Sequence, residues 1–479
     1  MLFFYFFIFS LYSLFQKNKL SGFPFFGKKD SLCINEKKED KININIKDQI
    51  SYNLIKNING FYGVIGPDIE VDDNTTLFNL FTGNGMIQGI FFDNGNITFI
   101  KRYIETEIFL YEKKNNQPFQ NFYIGNFLSK INIGPKVLGY ANTALLNIKD
   151  NELYALFERD MPYLLKLDFW RKDIFTIKRL DIKGIENFSG HTKYIDKDRI
   201  VETIDYNIFS KKVSFFQIDK EIQNILNKIE LSFRYVPLVH DFISTDKNII
   251  VIDSPIFIDT TNLFNKKIPL ILDKKEKTYL YLINKKTYEK MEYGFNESFY
   301  LFHYSDYKET DDFIDIYACL YDDLDFSTIH IKGNYRILRI DKKKNEAYII
   351  KNIEMEKYNL DFPVLFYDKN QNKNENKKKI ILRNMQNQSF GINEGFLICE
   401  EMKIIKKIIL KDQFICGEHK VIYINDNPYL LFFTFKSLNK KNINSKNSLF
   451  LINLNTFEKI EIDIPYQLKI GFHSIFIKK

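Results

Sequence analysis

The histidines are the first candidates for chemistry in this chain. Only six occur among 479 residues: His191, His240, His303, His330, His419 and His473. A neutral imidazole is a common metal ligand and also titrates near physiological pH. None of the six lies in an HExxH or HxH pair, so a site built on one helix is excluded. Any site that several of them share must be assembled by the fold, as when the blades of a propeller each send one side chain toward the axis.

Four of the six histidines stand in distinctive surroundings. The segments are FSGHTKYID at His191, VPLVHDFISTDKNIIVID at His240, SFYLFHYSDYKE at His303 and IGFHSIFIKK at His473. In the same order they resemble AHPKxD, MHDFAITxxYxVFxD, FVFHHxNAYE and GFHGxW, which are segments of the carotenoid cleavage oxygenase family. Further similar segments are NGFYGVIGPD (59–68), TGNGMIQGIFFDNGNITFIKRYIET (82–106), ANTALLNIKDNELYALFERDMPY (141–163) and LDFPVL (360–365). The resemblance therefore runs in order through residues 50–479.

The resemblance implies a fold and a reaction. The fold would be all-β, a seven-bladed β-propeller with a loop or helical cap over an axial iron site. His191, His240, His303 and His473 would bind Fe(II), leaving positions open for O2. The enzyme would cleave a conjugated C=C bond of a carotenoid, apocarotenoid or related polyene to carbonyl products. Stilbene cleavage and retinyl-ester isomerisation are alternatives within the same family. His330 and His419 match no ligand position and are interpreted as structural or surface residues.

The resemblance also assigns residues around the metal ligands. Glu158 in FERDMPY, Asp361 in LDFPVL and Glu418 in CGEHKVIY match the acids that orient ligand histidines through their second ring nitrogen. Asp361 replaces a Glu of the family, which leaves its contact with a histidine to be tested. Thr143 matches a threonine whose methyl group shields an open position on the iron; taken alone, it reads equally well as an ordinary strand residue.

Smaller departures from the family segments occur near the ligands. Asn84 replaces the second Asp of DGDGM, Gln88 replaces the histidine that follows it, and Asp306 stands near a family Asn. None of these changes removes a ligand, so they predict a distant member of the family.

Hairpins dominate the rest of the pattern. Asn94-Gly95 separates two apolar runs, which is the strongest short hairpin signal, and residues 149–151 and 455–456 separate further pairs of runs. Antiparallel hairpins spread over more than 400 residues favour a propeller or a sandwich. Because no repeat of fixed period is present, these patterns alone predict only a large all-β fold.

Composition narrows the class of protein. The net charge of +7 comes from lysines scattered among acids, as on a solvated surface, and no nucleic-acid-binding motif is present, so we expect no nucleic-acid partner. Four cysteines form no CxxC pair or dense framework. A non-catalytic binding propeller would not need four histidines in metal-ligand contexts, and a hydrolase of propeller fold would need a carboxylate pair for which no motif is seen.

The N-terminus predicts targeting or anchoring. Within residues 1–16 the first fifteen are apolar except for two serines, but the run is shorter than the roughly 20 residues of a membrane-spanning helix. A signal peptide, a monotopic anchor and an accident of Phe-rich composition are the three readings. We expect a leader or anchor in 1–16, a polar linker or transit segment in 17–50 and an oxygenase domain in 51–479. Association with a membrane, in the secretory pathway or a plastid, is the expected location; it would be the cytoplasm if the segment is not a signal.

Overall fold

The computed structural model describes residues 39–71, 75–116, 119, 137–259, 270–329, 331–369, 376–385, 394–410, 413–435 and 447–479. The leader 1–16, most of the segment 17–50 and His330 lie outside these ranges. The structure is mostly β, with 54% strand and 6% helix. Among the residues described, none of the helices has the length and hydropathy needed to cross a membrane.

Seven sheets form the blades of a β-propeller, as the resemblance implied. In the first three blades, the strands from the axis to the rim are as follows. Blade 1 holds β32 (Ser474–Lys478), β2 (Gly60–Pro67), β3 (Gly85–Asp93), β4 (Asn96–Tyr103) and β1 (Asp40–Ile44); blade 2 holds β5 (Ala144–Lys149), β6 (Glu152–Leu156), β7 (Tyr163–Asp168) and β8 (Asp173–Arg179); blade 3 holds β9 (Lys193–Ile195), β10 (Ile200–Asn207), β11 (Lys212–Asp219) and β12 (Ile225–Ser232).

The remaining four blades follow in chain order. Blade 4 holds β13 (Ile243–Ser244), β14 (Asn248–Asp253), β17 (Thr278–Asn284) and β18 (Lys290–Phe295); blade 5 holds β19 (Tyr300–Glu309), β20 (Phe313–Tyr321), β21 (Gly333–Asp341) and β22 (Glu346–Ile350); blade 6 holds β23 (Leu360–Lys369), β24 (Asn376–Asn384), β25 (Gly395–Glu400) and β26 (Lys403–Ile409); blade 7 holds β27 (Phe414–Ile415), β29 (Asn427–Phe435), β30 (Asn447–Asn453) and β31 (Lys459–Ile464), with β28 (Lys420–Ile424) beside β29.

Local sequence accounts for the hairpins. Between β3 and β4, Asn94 and Gly95 have φ of 51° and 90°, the two positive values that a type I′ turn requires. Between β5 and β6 the positive φ falls on Asn151, a residue type that tolerates the left-handed region. The predicted turns are therefore where the structure has them. The strand β1, within the segment 17–50, pairs antiparallel with β4 at the rim of blade 1.

The ring closes through the chain termini. β32, the last strand, pairs antiparallel with β2 from Gly60–Lys478 to Val64–Ser474. The final strand is therefore the innermost strand of the first blade, which closes the ring.

Apolar side chains hold successive blades together. Separate buried clusters lie between blades 1 and 2, 2 and 3, and so on around the ring. Another cluster joins blade 7 to blade 1 and includes Tyr62, Phe99, Phe433 and Leu451. Strands such as β2 and β30 are buried on both faces, which explains why their sequences are continuous apolar runs rather than alternating ones.

The connections at one end of the propeller form a second layer. A short hairpin of β15 (Ile256–Ile258) and β16 (Leu270–Leu272) follows β14, and the helix α2 (Leu77–Phe81) lies between β2 and β3; the other helices are α1 (Gln49–Ile55), α3 (Glu107–Asn115) and a 3-10 turn at Met355–Lys357. These connections build a cluster that we call the apolar cap. Its buried members are Ile69, Val71, Leu77, Leu80, Val236, Ile256, Leu272, Tyr300, Phe302, Tyr321, Leu324 and Phe326.

Candidate metal centre

The four predicted histidines lie where the innermost strands of four blades begin. His191 precedes β9, His240 precedes β13, His473 directly precedes β32, and His303 lies near the start of β19. Inner strands of a propeller converge on the axis, so residues at their starts meet although they are far apart in the chain. The fold thereby brings together the four residues that the sequence could only place separately.

The four imidazoles form one compact group. One candidate ligand atom from each lies within 4.8 Å of all the others. Nε2 of His191 is 3.1 Å from Nε2 of His240, and Nε2 of His303 is 3.2 Å from Nε2 of His473. His240, His303 and His473 are buried, and the plane of the His191 ring is inclined to those of His240, His303 and His473 by 64°, 72° and 86°. The nitrogens therefore point inward rather than stacking ring on ring.

His240, at the start of blade 4, is oriented by a carboxylate from blade 2. Its Nδ1 donates to Oε1 of Glu158, which lies in the connection between β6 and β7 of blade 2. The His191 segment of blade 3 runs between them and is fixed by Ser189, whose hydroxyl accepts from the His191 backbone N–H at 3.0 Å and donates to the His240 carbonyl at 3.4 Å. A hydrogen bond from Nδ1 sets the tautomer and leaves Nε2 as the acceptor.

Asp361 bonds directly to His303, although its side chain is one methylene shorter than the Glu of the family. Its Oδ1 lies 2.7 Å from Nδ1 of His303, and its Oδ2 accepts from the hydroxyl of Tyr321 at 2.5 Å. β23 is irregular here, with a register shift between Asp361 and Val364 and a φ of 51° at Phe362. A β-bulge of this kind re-aims side chains. No intervening water is required for the contact.

Glu418 completes the set in blade 7. Its Oε1 lies 3.5 Å from Nδ1 of His473, and its Oε2 accepts from the backbone N–H of Ser474 at 2.9 Å. Burial acts to raise the pKa of Glu418, but Lys420 and His473 outweigh it and hold the pKa well below the usual range. The acid is therefore an anion that can accept from His473 at any ordinary pH.

These contacts make the site fit a cation. With Nδ1–H donated to a carboxylate, the Nε2 of a neutral imidazole carries a lone pair. Nε2 of His303 and Nε2 of His473 are 3.2 Å apart. This separation suits two nitrogens that bind the same ion at about 2 Å each. A single proton could bridge one such pair, whereas a metal ion satisfies all four nitrogens at once.

Burial favours the neutral form of two of the four histidines, His191 and His473. Burial, followed by the neighbouring histidines, holds the pKa of His191 well below its usual value, and burial also lowers the pKa of His473. For His303 burial acts in the same direction, but the Asp361 carboxylate outweighs it and raises the pKa. A carboxylate partner of this kind increases the basicity of a metal-binding imidazole.

Thr143 lies beside this group. Its methyl carbon Cγ2 is 2.7 Å from the position that a Cβ on Gly190 would occupy, and Cγ of Glu158 is 3.3 Å from the same point. Gly190 thus permits a close approach of Thr143 to the backbone just before His191. The shielding role of Thr143 stays a prediction.

His419 does not join the cluster. It is fully buried in blade 7, and its ring lies 4.8 Å from that of Phe396. This agrees with its interpretation as a structural residue.

The sequence did not point to several side chains that contact the histidines or the acids beside them. Tyr321 bonds to Asp361, the ring of Phe302 lies 5.1 Å from that of His240, and the ring of Phe362 lies 5.1 Å from that of His303. Only Phe302 and Phe362, as neighbours of His303 and Asp361 in the chain, carried a signal that could have found them. Nothing in the sequence pointed to Tyr321, because it lies on β20 and its partner Asp361 lies on β23 of another blade.

Two departures from the family segments have structural partners here. Asn84 donates to Oε2 of the buried Glu112 at 2.6 Å, and Glu112 Oε1 accepts from the backbone of Phe119 at 2.8 Å. Gln88 exchanges hydrogen bonds with the backbone of Lys469, at 3.0 and 2.8 Å. An Asp at position 84 would instead place two carboxylates together.

Comparison with known proteins agrees with this geometry. The family model described as retinal pigment epithelial membrane protein matches residues 56–478. The chain is 24% identical over 229 residues to a chloroplastic 9-cis-epoxycarotenoid dioxygenase of Oryza sativa subsp. japonica, covering 43% of this chain and 39% of that protein. It is 24% identical over 313 residues to carotenoid 9,10(9',10')-cleavage dioxygenase 1 of Pisum sativum, covering 61% of this chain and 56% of that protein. These matches span about half the length of the relatives or less.

Solved structures show the same fold. A variant of the Synechocystis apocarotenoid oxygenase superposes with a TM-score of 0.72 at 15% identity, covering 92% of this chain and 96% of that one. The lignostilbene dioxygenase of Pseudomonas brassicacearum gives a TM-score of 0.71 at 14% identity, with the same coverage. At this level of identity the likeness concerns the propeller fold.

Proposed function

Because the chain belongs to the carotenoid cleavage oxygenase family, we propose that it is an Fe(II)-dependent dioxygenase that cleaves a conjugated C=C bond to two carbonyl products. The observation that carries the proposal is the group of four histidines on the propeller axis, three of them held by carboxylates. Imidazole binds several transition metals, so the choice of iron rests on the family.

The protein residues would hold the ion and leave part of it accessible. His191, His240, His303 and His473 would bind it through Nε2, with Glu158, Asp361 and Glu418 fixing the rings. When bound, Fe(II) would supply the activation of O2 that the cleavage requires. Thr143 is proposed to present its methyl group toward one side of the site and so restrict which positions can be reached.

The apolar cap suits an apolar substrate. Phe302 belongs to the cap and also contacts His240, while Phe81 and Phe472, whose rings are 6.0 Å apart, pack against the same cluster. Apolar side chains of this kind would exclude water and bind a conjugated chain by dispersion and the hydrophobic effect. We therefore propose a carotenoid or apocarotenoid as the substrate, in line with the names of the relatives.

A stilbene is the second candidate substrate. Lignostilbene-alpha,beta-dioxygenase isozyme III of Sphingomonas paucimobilis is 24% identical over 197 residues, covering 39% of this chain and 38% of that protein. Retinoid isomerisation is a third activity in the same family. These three differ in which product forms, so product analysis separates them.

Membrane association is proposed from the surroundings of the cap. Phe209 is 84% exposed and follows Ile208, which packs against the cap, while Ile258 is 47% exposed on the hairpin that contributes Ile256. Exposed apolar side chains beside a binding site often mark a contact surface. A polyene would enter from the bilayer there, and the apolar residues 1–16 would add a targeting or anchoring signal.

The proposal is tested by metal content and products together. Protein purified without oxygen is expected to contain about one iron per chain, and incubation with a panel of carotenoids, apocarotenoids and stilbenes is expected to yield two carbonyl fragments. Under labelled O2 with rapid trapping, each fragment should carry one label. Protein that contains no iron and takes up none would refute the proposal, as would cleavage that does not consume O2. His240→Ala is the matched inactive control.

A further inference from the structure

Asp361 is surrounded by hydrogen-bond donors in a buried site. Its Oδ1 lies 2.7 Å from Nδ1 of His303 and 2.8 Å from the backbone nitrogen of Phe362, while its Oδ2 lies 2.5 Å from the hydroxyl of Tyr321. Asp361 is 3% and Tyr321 2% exposed. The thiol of Cys319 also bonds to this carboxylate. A buried carboxylate oxygen without a donor is strongly unfavourable, so each of these donors contributes to holding the acid in place.

The arrangement of strands explains why Tyr321 can reach the acid. His303 on β19 is paired with Cys319 on β20, and Tyr321 is two residues further along β20. Side chains two apart on a strand point to the same face. Asp361 comes from the neighbouring blade, at the irregular start of β23. Residues from three strands therefore form one hydrogen-bonded chain, in which Asp361 lies between Tyr321 and His303.

Glu418 is held by a residue next to its own histidine. Its second oxygen accepts from the backbone N–H of Ser474 at 2.9 Å and from the hydroxyl of the same residue at 3.3 Å. The second oxygen of Asp361, the one aspartate in the set, accepts instead from the hydroxyl of Tyr321, which lies on a strand of another blade. Without that hydroxyl the carboxylate would be less restrained about the Cβ–Cγ bond, a torsion with a broad energy profile, and the bond to His303 would lose part of its direction.

We propose that Tyr321 is a positioning residue for the metal site, which acts through Asp361 to hold the His303 ring and so allows an aspartate to orient this ligand. The inference rests on the function proposed above. Its physical content is that Tyr321 and Asp361 form a matched pair. A glutamate at 361 would carry an extra methylene into a space where Oδ2 is already 2.5 Å from the Tyr321 hydroxyl.

The test measures binding of Co(II) to the metal-free full chain, by titration and by the visible absorption of the bound cobalt. The variants are Tyr321→Phe, Asp361→Glu and the double variant. Tyr335→Phe is the control, since Tyr335 is buried in the same blade and its hydroxyl bonds to Ser305 at 2.9 Å rather than to an acid of the site. Thermal unfolding of each metal-free variant reports whether it folds.

Tyr321→Phe is expected to weaken Co(II) binding about tenfold or more, the lower end of the penalty for losing a partner of a ligand, and to shift the cobalt spectrum. Tyr335→Phe should bind like the wild type even if both tyrosine variants lose similar stability. In the Asp361→Glu background, Tyr321→Phe should strengthen Co(II) binding rather than weaken it, because removing the hydroxyl makes room for the longer acid. The double variant should therefore bind Co(II) more tightly than Asp361→Glu alone.

Equal affinity and an unchanged spectrum for Tyr321→Phe would overturn the inference. If that variant does not fold, the comparison of Asp361→Glu with the double variant decides, and equal or weaker binding by the double variant overturns it. Failure of the wild type to bind Co(II) would instead overturn the proposed function, and the inference with it.

Discussion

Replacing His419 by leucine is expected to make stability less sensitive to acid. His419 is fully buried beside Phe396, with its imidazole close to the backbone of Ile381. Burial is the main cause that lowers its pKa from 6.5 to about 3. Since the folded-state pKa is depressed, the native state keeps this imidazole neutral where the unfolded chain would bind a proton.

The direction and the size of this pH effect on the free energy of unfolding follow from the linkage between proton binding and folding. The stability associated with neutral His419 is complete above pH 6.5 and is lost progressively as the pH falls from 6.5 toward the folded pKa of about 3. At about 1.4 kcal/mol per pH unit, the loss at pH 5 is about 2 kcal/mol. His419→Leu removes the titrating group, so its stability relative to the wild type should rise by about 2 kcal/mol between pH 7.5 and pH 5.

Urea unfolding of both proteins at the two pH values, with a refolding arm, measures this difference. Contributions from the other histidines are common to both proteins and cancel. Ile381→Val is the control, because it changes the packing of the buried cluster that contains Phe396 and involves no titratable group. It should give the same destabilisation at both pH values. A His419→Leu difference that is independent of pH would refute the reasoning.

Three further outcomes are expected. Glu158→Gln and Glu418→Gln should each weaken metal binding by about 10–100-fold, measured by titration of metal-free protein, because an orienting acceptor is lost; wild-type affinity in both would show that these acids do not orient ligands. Asn84→Asp should lower the free energy of unfolding by about 2 kcal/mol at pH 7, because the hydrogen bond that the Asn84 amide donates to the buried Glu112 carboxylate would be lost, and no loss in urea unfolding would contradict this. Deleting residues 1–16 should leave the circular dichroism and iron content unchanged but reduce binding to membranes in a flotation assay; unchanged flotation would favour an accident of composition.

Much of the fold was predictable from local patterns. Asn94-Gly95 demands a turn with two positive φ values, and the structure has it there. The propeller and its seven blades, in contrast, were predicted through the resemblance and are confirmed. No fixed repeat marks the blades, because each blade needs only apolar faces that fit its neighbours, and many sequences satisfy that requirement.

The sequence by itself singled out the four histidines that the structure brings together, since His191, His240, His303 and His473 stand in recognisable segments; that they carry the chemistry stays a prediction. Only the tertiary structure decided how they meet. The partner of His240 is Glu158, in blade 2 rather than in the blades next to it, and the partner of Asp361 is Tyr321, on a strand of another blade. Spacing along the chain carries no information about such contacts, because the distance between two inner strands is set by closure of the ring through β2 and β32 and not by the number of residues that separate them.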